Sequence, residues 1–207
     1  MIPLSLTRPA VAAALLLAIT VLCYLPGLPG GFLFDDFPNI VNNDRLLITD
    51  LSLTSLVQAA QSGISGANGR PLSMLSLGIN HALFGVNPGA FKAVNLGIHL
   101  IGGILVLLLA RRLLQLSHSQ YEPAWRDRVS LFIAAIWLLH PIQLTANLYV
   151  VQRMASLASV LLLLSLLIYV IGRQRQMQDQ RGGAALILAA LFLVTPLAFL
   201  AKENGAL

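Results

Sequence analysis

Apolar residues in this chain fall into long blocks with almost no charge inside them, separated by short polar segments that hold most of the arginines. About 20 consecutive apolar residues cross a bilayer as a helix. The pattern predicts five spans, from about Pro9 to Leu28, Ala90 to Leu109, Val129 to Leu139, Leu148 to Ile171 and Ala184 to Leu200. The third dips on through a His140-Pro141 break, and Pro9 suits the first turn of its helix. Residues 30–88 lie between the first two spans and are too long for a mere connector. Within them, apolar residues return at helical spacing over Leu51 to Ala60 and again over Pro71 to Phe84, where Leu72, Leu75, Ile79 and Leu83 share one face. Such helices are expected to lie along the membrane surface. The flexible stretch Ser62 to Gly69 turns the chain between them. The expected class is an all-α membrane protein of about five transmembrane helices with a long outer loop carrying short amphipathic helices. Its expected divisions are residues 1–29 (first span), 30–88 (loop) and 89–207 (remaining spans).

Composition agrees with this class. The 207 residues are 57% hydrophobic and 10% charged, against about 25% charged in a soluble domain. Mean hydropathy is +0.80. The net charge of +5 does not point to nucleic acid, because the basic residues sit between apolar blocks without interleaved aromatics. They report topology instead. With Arg8, then Arg111, Arg112, Arg126 and Arg128, then Arg173, Arg175 and Arg181 all cytoplasmic, the five spans alternate without conflict. Asp35, Asp36, His140 and Glu203 then share the outer side. The expected localisation is a multi-pass protein of a bacterial inner membrane, N-terminus cytoplasmic and the Asp35-Asp36 loop periplasmic. No small-x-small site follows the first block, so it reads as a retained anchor rather than a cleaved signal. Cys23 is the single cysteine, excludes a disulfide framework within the chain and reads as packing. No Gly-x-x-x-x-Gly-Lys loop or Gly-x-Ser-x-Gly elbow occurs, so no nucleotide cofactor is expected.

Asp35 and Asp36 are the residues hardest to explain as packing, because adjacent carboxylates at a bilayer boundary are costly to place. The competing reading is a helix N-cap or a turn.

The order of short motifs carries a resemblance. Phe34-Asp35-Asp36-x-x-x-Ile40 is followed by Asn42-Asn43, Arg70-Pro71-Leu72, Asn80, Gly85-x-x-Pro88 and Asn95-x-x-x-His99. Then come His140-Pro141-Ile142-Gln143, Gln152-Arg153 and Ala201-Lys202-Glu203. This series resembles the N-terminal membrane part of the transmembrane and tetratricopeptide-repeat O-mannosyltransferase family and its bacterial relatives, glycosyltransferases of the GT-C fold. Two departures stand out. Bacterial relatives often carry Thr-Glu after His-Pro-x-Gln, where this chain has Leu144-Thr145. Family members also continue into more spans and a repeat domain, whereas no 34-residue repeat is visible here, so the chain is expected to be truncated before them.

The resemblance implies transfer of a sugar from a polyprenyl-phosphate donor to a hydroxyl of a protein or glycan at the outer face, with the lipid bilayer as the other partner. The acceptor needs a base, and the leaving phosphate needs positive charge. Asp35 is the expected base. Asp36 is expected to bind acceptor or metal, or to share a proton with Asp35. A divalent ion, Mg or Mn, held by Asp35 and Asp36 is one way to stabilise the phosphate, and a cationic side chain is the other. The resemblance assigns that grip to Arg153, against a snorkelling role at a helix end. Arg70 is expected to bind phosphate or pair with Asp35 or Asp36. His140 is expected to bond the donor phosphate or polarise a carboxylate. Lys202 and Glu203 are expected at the outer rim of the site, orienting the acceptor. His81 and His99 read as structural. The alternative is a non-catalytic membrane scaffold or a module that binds lipid-linked sugar.

Overall fold

A computed structural model describes residues 8–206, and among them every regular element is helical. Helix α1 (Arg8–Tyr24) ends in a 3-10 turn, Leu25–Gly27. The loop that follows carries a π turn at Phe37–Val41, α2 (Leu53–Ala60) and α3 (Pro71–Phe84). Helices α4 (Pro88–Ser117) and α5 (Pro123–Leu139) come next, then the short α6 (Gln143–Leu148) and a 3-10 turn at Val150–Gln152. Helix α7 (Arg153–Met177) returns to the opposite end. The last hairpin arm is α8 (Gly183–Ala189), a π turn (Ala190–Val194) and α9 (Thr195–Ala201).

Among the described residues, four stretches are long and apolar enough to cross a membrane: Pro9–Gly27, Pro88–Ser117, Val150–Met177 and Gly183–Ala201. The protein is thus a multi-pass membrane protein. The five expected spans differ from these four at α5. That helix has 17 residues, about 25 Å of rise, and its apolar part starts only at Val129, after Arg126-Asp127-Arg128. Charge at its base shortens its apolar reach.

Lipid does not drive helices together, so close approach of small residues and interhelical polar contacts must do so. A Cβ at Gly102 or Gly103 of α4 would run into Trp137 and Leu138 of α5, and one at Gly172 of α7 would meet the Gly183 backbone of α8. Pro196 has no N–H to continue the helical ladder. The Ala190 carbonyl accepts from the Thr195 N–H and also from the hydroxyls of Thr195 (3.0 Å) and Ser165 (2.9 Å), the last tying α7 to this arm. Leu15, Leu22, Phe132, Phe192 and Leu193 are exposed, as expected of faces that meet lipid. Cys23 is exposed as well, so the packing role expected of it is not seen.

The loop folds into a cap with its own core. Ile40, Leu46, Ile48, Ala59, Met74 and Leu77 form one core with Phe91 of α4 and with Val150, Val151 and Met154 at the start of α7. Helix α3 forms over the residues expected, but it buries Ser73, Met74, Leu77, Gly78 and Asn80. Leu72, Leu75 and Ile79 are half-buried and Leu83 is exposed. The reason is local: Gly78 lets Ala59 of α2 approach closely, which turns the other face outward.

Candidate functional site

The two aspartates occupy opposite environments. Asp36 is fully buried. Its carboxylate accepts the Leu33 N–H (3.0 Å) and, across the fold, the Val151 N–H (2.7 Å). Burial pushes this carboxyl above the ordinary carboxylate range, against the pull of those N–H donors and of Lys92. Asp35 is exposed, and its backbone N–H donates to the Tyr149 hydroxyl at 2.8 Å. Burial first, then the charges of Asp35 and Asp36, raise the Tyr149 phenol above its usual value. The expected sharing of a proton between the aspartates is not what raises Asp36. It is anchored, and it fixes the turn that presents Asp35.

That turn is strained. Phe34 has φ 39°, a region that a bulky L-residue adopts only under constraint. Its ring is 82% exposed, with Leu33 and Phe37 exposed beside it. Asp35 therefore stands among apolar side chains suited to a membrane surface. Asn39 backs the turn, donating from its side chain to the Asp35 carbonyl at 2.9 Å and accepting from Ser65 Oγ at 2.8 Å.

Arg153 lies elsewhere in the cap and is fully buried. Nε donates to Asn95 Oδ1 (2.7 Å), Nη1 to the carbonyl (3.1 Å) and hydroxyl (3.4 Å) of Ser76, and Nη2 to Asn80 Oδ1 (2.7 Å) and the Phe91 carbonyl (2.8 Å). The guanidinium also sits 5.4 Å from the centre of the Phe91 ring. A guanidinium has five N–H groups, and these five bonds engage all of them. Snorkelling is excluded by the burial. A direct grip on phosphate finds no free donor.

Arg70 pairs with neither aspartate. Its Nε meets Glu203 Oε2 at 3.0 Å, with about a fifth to a quarter of each side chain exposed, and Nη1 reaches the Met154 sulfur at 3.3 Å. Burial alone would raise the Glu203 carboxyl, but its own backbone N–H and the Arg70 guanidinium hold it below the usual range. Gly66, at φ +78°, leaves space that any Cβ would deny to Glu203. Lys202 is half-buried beside the pair. His140 is exposed at the end of α5 and accepts the Ile142 N–H at 3.1 Å, a cap on its own turn. His99 is buried, bonded to the Leu138 carbonyl (3.0 Å) and stacked on Trp137, as a structural histidine should be.

Among the described residues no three His, Cys, Asp or Glu side chains converge as a metal would need. A bridging Mg or Mn would find one exposed carboxylate and one already bonded to two amides, so the pair does not fit a shared ion. The arrangement also uses residues that the sequence did not single out for the site. Tyr149 and Lys92 hold the Asp35 turn, the latter through Nζ to the Gly30 carbonyl at 2.7 Å. Asn80 and Asn95 hold Arg153. Both asparagines stand in apolar helices, which is the available signal: a buried polar side chain needs a partner.

The chain is similar along nearly its whole length to three proteins named as protein O-mannosyl-transferases. TMTC1 of Mus musculus is 33% identical over 95% of this chain and 21% of its own length. TMTC4 of Homo sapiens is 29% identical over 99% of this chain and 29% of its own. Tmtc1 of Drosophila melanogaster is 29% identical over 91% and 20%. The chain thus spans between a fifth and three tenths of the length of these relatives. No family model matches the chain, and no solved structure matches it.

Proposed function

We propose that this chain, as a relative of the N-terminal membrane region of the transmembrane and tetratricopeptide-repeat O-mannosyltransferases, belongs to the catalytic membrane part of a glycosyltransferase of the GT-C type. It moves a sugar from a polyprenyl-phosphate carrier to a hydroxyl of a protein acceptor, at the periplasmic face of a bacterial inner membrane. The observation that carries this reading is the Asp35 turn. A strained Phe34 sets an exposed carboxylate among membrane-seeking side chains, and Asp36 and Tyr149 lock it to the entrance of α7.

Asp35 accepts the proton of the acceptor hydroxyl as that oxygen bonds to the anomeric carbon. The bond from that carbon to the carrier phosphate breaks, and the lipid phosphate leaves with the electron pair. General-base help of this kind contributes about 10²–10⁴-fold. Asp36, Tyr149 and Asn39 hold the base in place without touching substrate. Lys202 and Glu203 stand at the rim, where an acceptor would pass.

Asp35→Asn keeps the size of the side chain and removes the base. Sugar transfer to acceptor in membranes carrying the protein is expected to fall by about 10²-fold or more, with insertion and thermal stability unchanged. Full transfer by that variant would overturn the assignment.

A further inference from the structure

A groove of about 260 Å³ lies between α3 and α4. The outward face of α3 (Leu72, Leu75, Ile79 and Leu83) and Val94 of α4 make its walls, while Ser76 and Asn80 line it too. Asn80 is 3% exposed, and its Nδ2 amide is buried with no hydrogen-bond partner among the described residues. Its orientation is fixed, because Oδ1 accepts from Arg153 at 2.7 Å. A buried donor left without an acceptor costs about 1–3 kcal/mol, so this amide calls for one.

The second observation is the charge behind it. Arg153 is fully buried, and every one of its hydrogen-bond partners is neutral: Asn95, Ser76, Asn80 and the Phe91 carbonyl. Buried charges are ordinarily paired. All five N–H groups are engaged, yet the positive charge is not neutralised. An anion in the groove would accept from Asn80 Nδ2 and supply the missing negative charge at one remove from the guanidinium. The apolar walls would take a hydrocarbon chain attached to that anion.

We propose that the groove between α3 and α4 binds the phosphate end of an isoprenoid lipid, with a phosphate oxygen accepting from Asn80 and the first part of the chain lying against Leu75, Ile79 and Val94. This rests on the transferase reading for the identity of the lipid, and it places the carrier's phosphate in a site to which Arg153 contributes charge rather than a direct bond.

The test is binding of farnesyl phosphate to the chain in lipid nanodiscs, with farnesol and inorganic phosphate as separate probes. Asn80→Asp keeps the acceptor for Arg153, so the fold survives, but it removes the amide donor and neutralises the guanidinium. Farnesyl phosphate should bind the unaltered chain and lose about 10- to 100-fold in affinity in the variant, while the much weaker binding of farnesol stays the same. Equal affinity for farnesyl phosphate in both proteins overturns the proposal, as does its failure to bind the unaltered chain. Competition by inorganic phosphate at the concentration that farnesyl phosphate requires would make this a free-anion site and overturn the lipid assignment. The outcome separates from that of Asp35→Asn. Binding lost at Asn80 with transfer retained in Asp35→Asn would leave the groove standing and remove the base.

Discussion

Two arginines organise the cap, and they do so by opposite means. Arg153 is sealed from solvent among neutral partners, whereas Arg70 keeps about a fifth of its side chain exposed and meets a carboxylate. A guanidinium in a low-dielectric setting is held by filling all five donors, with no opposite charge beside it. One near solvent is held by a single charged contact that water and salt weaken. The first joins α3 and α4 to the start of α7, and the second ties the start of α3 to the end of the last helix. The second kind of junction leaves its charged groups partly open to solvent. Stability rests on the first.

The largest effect should come from Arg153. Arg153→Leu leaves Asn80, Asn95, Ser76 and the Phe91 carbonyl without their partner, at about 1–3 kcal/mol for each group that stays unsatisfied. The cap is expected to lose its fold, read as a collapse of the thermal transition in detergent and as protease sensitivity in residues 30–88. Arg153→Lys keeps the charge but brings three donors to five acceptors, and should fall between. A wild-type transition in Arg153→Leu would mean that the junctions do not differ in the way the geometry shows.

A smaller, local effect is expected at Asp36. Asp36→Asn retains one acceptor oxygen and turns an amide donor toward a backbone N–H. One of the two bonds, to Leu33 or Val151, is lost, at about 1–3 kcal/mol. Amide hydrogen exchange should rise at Leu33 and Val151, and transfer should fall because Asp35 is no longer held. Unchanged exchange at both amides would show that Asp36 does not anchor the turn.

Much of this arrangement was legible in the order of residues alone, but not evenly. Spans could be read because little besides a bilayer calls for apolar blocks of that length, and α3 was delimited by Pro71 and Gly85. Its buried face was not legible. Helix α3 is apolar on both sides, with Met74 and Leu77 opposite Leu72 and Leu75, and a face toward lipid is as apolar as one toward the core. Periodicity cannot choose between them. The polar residues Ser73 and Asn80 marked the buried side, and this ran against the usual rule that polar means exposed. Arg153 was noticed for its charge, yet its burial depends on Asn80 and Asn95, which no local spacing connects to it. The sequence singles out the Asp35-Asp36 pair, but not which carboxylate is buried and which exposed, because neighbouring residues on a turn can face opposite ways.

The smallest effect belongs to the Arg70–Glu203 junction and is best read through pH. Burial raises the folded-state carboxyl of Glu203, but its hydrogen bonds and Arg70 outweigh that and hold it below its usual value. For an acid with a depressed folded pKa, the unfolded chain binds the proton first as pH falls. The stabilisation is therefore complete above the ordinary glutamate range near pH 4.5 and is lost as pH drops through the folded value. The pair is partly exposed, so its worth at neutral pH is about 1 kcal/mol or less. Glu203→Gln should lower the thermal midpoint slightly at pH 7, by an amount that shrinks in high salt, and should no longer differ from the unaltered chain in strong acid. Arg153→Lys should show no such convergence with pH, because none of the groups bonded to Arg153 is a carboxylate. A Glu203→Gln deficit that persists undiminished in acid would show that this junction, too, is held by shape rather than charge, and the contrast between the two arginines would disappear.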